Sequence, residues 1–259
     1  TFTQLDPTTI FPSTGVGFCC DQVVQYVPQI NRFIWLLQGN GMRIASASPA
    51  DIINSGATAW TYWDLTPGVF GAIAGTGFDY PDLAVGNNQL YMSWNAGFPC
   101  PAGCNWGHQV ARTSLTGIQS AGTITIEFTD PANSRSAWGA HLTQNTGDEI
   151  FWAGHADDTH LTVWSLKESS NTYFWRDVGI SSWARNGLSS TTPDGQDWVS
   201  ECGGGFPGTA VIGGTRVGNQ IWFAWNAGTN NNFQQVHVEM VTLDRGNNFN
   251  KTQQVQIWN

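Results

Sequence analysis

In a chain of 259 residues, charged side chains make up 11% and hydrophobic ones 41%, with 30 Gly and 14 Trp, which describes a folded, turn-rich, aromatic protein and excludes a disordered one. A formal net charge of -9 leaves no basic surface for nucleic acid or an anionic membrane, so neither is expected as a partner. No apolar run approaches the about 18 residues of a membrane span.

Residues 1–17 carry Pro7, Pro12, Gly15 and Gly17 and read as an N-terminal arm with one strand near 8–11. A first blade follows at about 18–66. Its hairpin runs from 21–26 through Pro28 and Asn31 into 32–37, and two further β-rich segments lie at 42–47 and 59–65. A Gly-rich linker, 67–77, precedes a second blade at about 78–131. Here Asp82, Leu83, Ala84 and Val85 turn at Gly86, Asn87 and Asn88, residues that tolerate positive φ, into Leu90, Tyr91, Met92, Ser93 and Trp94. The same pattern returns at 140–153, turning at Asn145 to Gly147, and at 209–225, where Gly213-Gly214 and Gly218-Asn219 mark the turn. These define blades at about 132–180 and 209–259, separated by a long polar loop, 181–208.

The repeat length of roughly 60 residues lies near the upper end of known repeats and leaves room for four strands each. The fold class expected is therefore all-β: one β-propeller domain, 1–259, of four-stranded antiparallel blades. Four blades are detectable. Unpaired edges invite aggregation, so a ring needs closure: either the arm helps these blades close, or the chain is a fragment of a larger ring completed by a second chain or segment, and the second alternative is favoured because the final strand, 255–258, ends without a closing sequence after it.

First strands and the loops before them gather on one face of a propeller, so Cys19, Cys20, Asp21 and Gln22 are expected to converge with Asp79, Tyr80 and Asp82, with Trp138 and His141, and with Thr209 and the loop of Glu201. Acidic blade starts beside a His and aromatics suit a carbohydrate ligand: Asp21 and Asp82 as acid and base, His141 as proton-transfer partner, and Trp106 and Trp138 as stacking faces. The competing role for Asp21 and Asp82 is to bond backbone amides at the strand starts. His155, Asp157, Asp158 and His160 are dense enough in metal-capable groups to hold a structural cation, and no other cofactor is expected. There is no Gly-x-Ser-x-Gly elbow and no phosphate loop.

Cys100 and Cys104 are close enough for a local disulfide. Cys19 and Cys20 either form a vicinal disulfide at the channel mouth or are small buried residues on opposite faces of a strand. Asn250-Lys251-Thr252 is the single glycosylation sequon. The start at Thr1 reads as a processed product, and the two Lys beside abundant Trp, Thr, Asn and Gly suit a secreted, extracellular protein.

The hairpin FDYPDLAVGNNQLYMSWN and its copies resemble the first hairpin of a blade in the sialidase-like, or neuraminidase-like, family of secreted propellers. That resemblance implies the propeller fold and a glycan-related role, as a glycoside hydrolase or lyase-like enzyme. The alternative is a non-catalytic lectin or an extracellular scaffold. Lectin propellers usually repeat their site in every blade, whereas these blade starts differ, which favours one asymmetric site.

Overall fold

The computed structural model describes residues 4–97, 107–131, 134–185, 193–197, 210–229 and 237–257. Within them the strands form four-stranded antiparallel blades of the β-propeller type, and the fold class is all-β. The arm departs from expectation. Residues Pro7–Ile10 form a short helix, α1, because Asp6 accepts the Thr8 N–H at 2.8 Å and Pro7 sits in its first turn.

Blade one comprises β1 (Gln22–Val27), β2 (Arg32–Gly39), β3 (Gly41–Ala47) and β4 (Thr61–Leu65), hydrogen-bonded in that order. Between β3 and β4 lies α2 (Pro49–Ser55), which starts on a reciprocal Ser48–Asp51 capping box and stops at Gly56 with φ 63°. Blade two repeats the plan with β5 (Phe78–Val85), β6 (Gln89–Ala96), β7 (Gly107–Ser114) and the short β8 (Glu127–Phe128). Its α3 (Leu115–Ser120) falls at the same place, between third and fourth strands.

Each of these sheets has an apolar face that it cannot bury alone. Ile34, Leu36 and Ile44 of blade one therefore pack with Leu83, Met92 and Trp94 of blade two in a single core. Phe70, in a 3₁₀ turn of the linker, closes that seam in edge-to-face contacts, its ring centroid 4.8 Å from that of Trp94 and 5.5 Å from that of Phe78.

The chain divides into two compact units, Thr1–Ser134 and Arg135–Asn259. In the second, β9 (His141–Gln144), β10 (Glu149–Asp157), β11 (His160–Lys167) and β12 (Phe174–Gly179) form one blade. The other is β13 (Val211–Val217), β14 (Gln220–Ala227), β15 (His237–Asp244) and β16 (Asn250–Ile257). The expected turn at Gly213-Gly214 is not one: both glycines lie inside β13, and the chain reverses at Gly218-Asn219. The reason is a close approach. β13 pairs in parallel with β9, Gly214 opposite Thr143, and a Cβ on Gly214 would meet the Phe223 ring at 2.8 Å and the Thr143 methyl at 3.1 Å. The two blades thereby merge into one eight-stranded sheet.

Arg43 shows how a charge is accommodated in blade one. It is 1% exposed, and it donates to Asp64 at 2.6 and 2.9 Å and to the arm carbonyls of Pro12 and Thr14 at 3.2 Å each. Arg43→Met strands Asp64 without its partner and releases the arm, so urea denaturation should show a loss of about 3 kcal/mol. Arg43→Met with Asp64→Leu should recover most of it, and a double variant as unstable as the single one would count against this account.

Candidate functional site

The blade-one and blade-two starts meet in the first unit, and a β-bulge decides which side chains face the meeting point. In the β5–β6 pairing Asp79 opposes Asn95 and Asp82 opposes Ser93, so Tyr80 and Pro81 together oppose Trp94. An unbroken strand would send residues three apart to opposite faces; the bulge puts both aspartates on one face, because their partners are two apart. The strand accommodates this with Tyr80 at φ 59°, a left-handed conformation rare for a bulky residue.

Each of these carboxylates also bonds a backbone amide. Asp79 Oδ1 accepts from the Tyr80 N–H at 2.9 Å, and Asp82 Oδ1 from the Leu83 N–H at 2.8 Å in a buried setting. For Asp82 the amide-bonding role weighed from the sequence is thus realised. Asp21 differs. It is exposed, and among the described residues nothing donates to its carboxylate, while partial burial and the like charge of Asp79 raise its pKa above the ordinary carboxylate value. Burial first, then the charges of Asp82 and Asp21, raise the Tyr80 phenol as well.

Gln38, at the end of β2, ties these parts together and was not singled out from the sequence. Its backbone accepts from the Cys19 N–H and donates to the Asp21 carbonyl, each at 3.0 Å. Its side chain accepts from the Asp21 N–H and donates to Asp79 Oδ1, each at 3.4 Å. The available signal was a lone polar side chain closing the run Phe33 to Leu37. Also unforeseen is a row across blade two, half-buried Asp79 opposite buried Asn95 opposite buried His108, with His108 Nδ1 3.3 Å from Asn95 Oδ1.

Cys19 and Cys20 are bonded to each other and exposed, so the alternative of two small buried thiols is set aside. With Asp21, Gln38 and Asp79 they line a cleft of about 840 Å³, whose other wall is the linker from Thr66 to Phe78. That volume lies in the usual range of ligand sites. Gln22 does not join it: its side chain turns away to accept the Trp35 indole N–H at 2.8 Å.

In the second unit, Trp138 is half-buried ahead of β9, and His141 opens that strand with Nδ1 3.0 Å from the Leu142 carbonyl. His155, Asp157, Asp158 and His160 do not converge on one point. The His155 ring turns inward, 4.5 Å from Trp183 and 4.8 Å from Trp225, while Asp157 accepts from Thr159 and lies 3.0 Å from His160, and Asp158 pairs with Arg185. The β10–β11 register shifts between His155 and Asp157, a bulge that breaks the alternation by which the two would have shared a face, and among the described residues no group of three or more His, Cys, Asp or Glu side chains is placed to hold a metal ion. Asn250 is exposed at the start of β16. Trp106, Glu201, Thr209 and the Cys100–Cys104 pair lie outside the described residues.

No family model matches the chain, and no curated protein matches it. Solved structures with a similar fold include a GH43 endo-arabinanase from Bacillus licheniformis, 11% identical, with a TM-score of 0.45, covering 89% of this chain and 72% of its own. A xylan β-1,4-xylosidase from Bacillus halodurans is 10% identical with a TM-score of 0.47, over 89% of this chain and 41% of its own. A third, described as xyloglucan PUL GH43B of Bacteroides ovatus, is 9% identical with a TM-score of 0.46, over 88% of this chain. This chain spans 39% of the length of that third structure. Likeness at this level carries no argument about this chain. The sialidase-like family that the hairpins resemble is not among these structures.

Burial between the two indoles, with Arg185 nearby, pulls the His155 pKa from the ordinary 6.5 to about 3. Below about pH 6.5 the unfolded chain takes up a proton that the folded chain refuses. Stability is therefore complete above that pH and falls on acidification, by about 1.4 kcal/mol per pH unit from this one group. His155→Phe should flatten that dependence in urea midpoints measured between about pH 7 and about pH 5; an unaltered slope would exclude His155 as its source.

Proposed function

We propose that this chain forms the acid-bearing part of a secreted, carbohydrate-acting propeller whose substrate is a neutral polysaccharide cleaved by hydrolysis. The observation that carries it is the exposed Asp21 carboxyl, with its raised pKa, in the same cleft as Asp79. A carboxyl whose pKa is raised holds its proton to higher pH than an ordinary one, which suits protonation of a glycosidic oxygen. As that C–O bond breaks, water attacks the anomeric carbon and gives its proton to a second carboxylate, and Asp79, rather than the buried and amide-bonded Asp82, lines the cleft for that part. Asp79 also contributes by charge, holding the Asp21 proton on.

Neutrality of the substrate follows from the lining. Among the described residues, Asp21 and Asp79 are the charged side chains of the cleft and no cation lines it. Arg43 is engaged by Asp64, and Arg112 by Glu127 at 2.6 Å, so neither is available to grip a sugar carboxylate. A sialic acid substrate, the finer implication of the sequence resemblance, is therefore disfavoured against a neutral one. An oxidised Cys19–Cys20 pair supports an extracellular setting.

Release of reducing ends should be measured on arabinan, xylan, galactan and β-glucan beside polygalacturonate and a sialylated glycan. Cleavage is expected among the neutral polymers, and Asp21→Asn should lower it by roughly 10²-fold or more. Asp79→Asn should lower it too and, in the activity that remains, let Asp21 lose its proton earlier, moving the alkaline limb of the kcat/KM profile to lower pH. Binding of a neutral polymer without any reducing-end release would point instead to a lectin.

A further inference from the structure

We propose that the Cys19–Cys20 disulfide is the ridge between two adjoining sugar subsites, so that the site engages at least two units of a neutral glycan and rests one ring on the sulfur surface. This rests on the carbohydrate reading above and deepens it. The cleft of about 840 Å³ is not isolated: Cys19, Gly39 and Asn40 line it and also line a second hollow of about 250 Å³ on their other side. The smaller hollow is below the usual size of an independent ligand site but suits an annex to one.

The two compartments differ in chemistry. Acidic side chains stand only in the larger, whereas the smaller is walled by Phe11, Phe18, Pro7 and Pro12. Its cation, Arg43, has its donors directed at Asp64 and the Pro12 and Thr14 carbonyls. Such a compartment can hold a ring by its apolar face but supplies no acid. Bond-making chemistry therefore belongs to one side of the ridge and recognition to the other.

Position is enforced at both flanks of the ridge. The Cys19 N–H is tied to the Gln38 carbonyl at 3.0 Å and the Asn40 N–H to the Val16 carbonyl at 2.7 Å. Between them Gly39 admits no side chain, since a Cβ there would collide with the Val16 carbonyl oxygen. Adjacent bonded cysteines leave the chain little freedom to withdraw, and sulfur is polarisable and apolar, a surface suited to the C–H face of a sugar.

The test is calorimetric titration of the Asp21→Asn protein, which spares the ligand, with xylo-, arabino- and cello-oligosaccharides from disaccharide to hexasaccharide. Affinity is expected to rise about tenfold at the one added unit that crosses the ridge. Cys19→Ala with Cys20→Ala should abolish that step, and so should Phe18→Ala, which leaves the cysteines intact and guards against misfolding of the first variant. A step of the same size in both variants, or a series on the parent Asp21→Asn protein without a step, overturns the ridge while leaving the carbohydrate site standing. No binding of any oligosaccharide, together with no cleavage of the parent polymers, overturns both.

Discussion

The apolar seam between the first two blades is the interaction on which the candidate site depends. Ile34, Leu36 and Ile44 on one sheet and Leu83, Met92 and Trp94 on the other have no alternative burial, and Phe70 seals their contact. Removing such side chains from water is the main favourable term in folding, and the seam sets β1 beside β5. Charges at the ends of those strands then come together whether or not their mutual repulsion favours it. The raised pKa of Asp21 is desolvation first, and then that repulsion, expressed as proton affinity.

Around the seam, polar groups are held by specific partners. Arg43 links blade one to the N-terminal arm through Asp64 and two carbonyls, and Gln38 links the Cys19–Asp21 segment to Asp79. In the second unit Glu149, at the start of β10, is buried and bonded by Arg245 at 3.1 to 3.2 Å. Likewise His237 lies 3.2 Å from Glu239, both nearly inaccessible, while Gln254 and Gln256 donate to that carboxylate. Buried polar atoms must find partners or cost free energy, and these networks fix register and loop position more sharply than apolar contact does.

The two acidic blade starts illustrate how one residue type takes different parts. Asp82 is buried and accepts from the Leu83 amide, whereas the Asp21 carboxylate lies open in the cleft. The bulge at Tyr80 and Pro81 makes this arrangement possible by returning Asp79 and Asp82 to one face. Backbone strain at such a point, borne here by Tyr80, is a common accompaniment of function.

Strand and turn were legible in the sequence because both are local. Period-two alternation, the Gly-Asn-Asn and Asn-Thr-Gly turns, and the repeat of roughly 60 residues were enough to place the four hairpins, the third strands and the all-β class. The pairing of Cys19 with Cys20 was also within reach of the sequence, since neighbours need no fold to bring them together. What only tertiary structure decided involves partners distant in the chain. β9 draws Gly213 and Gly214 into a strand by parallel pairing, α1 replaces a strand once Asp6 caps it and Phe11 docks on Trp35, and the inward turn of His155 against Trp183 and Trp225 removes it from Asp157 and His160. Gln38 gains its bridging part only when blade two stands beside it. Side-chain direction, burial and proton affinity depend on what lies across the seam, and no local pattern carries that information.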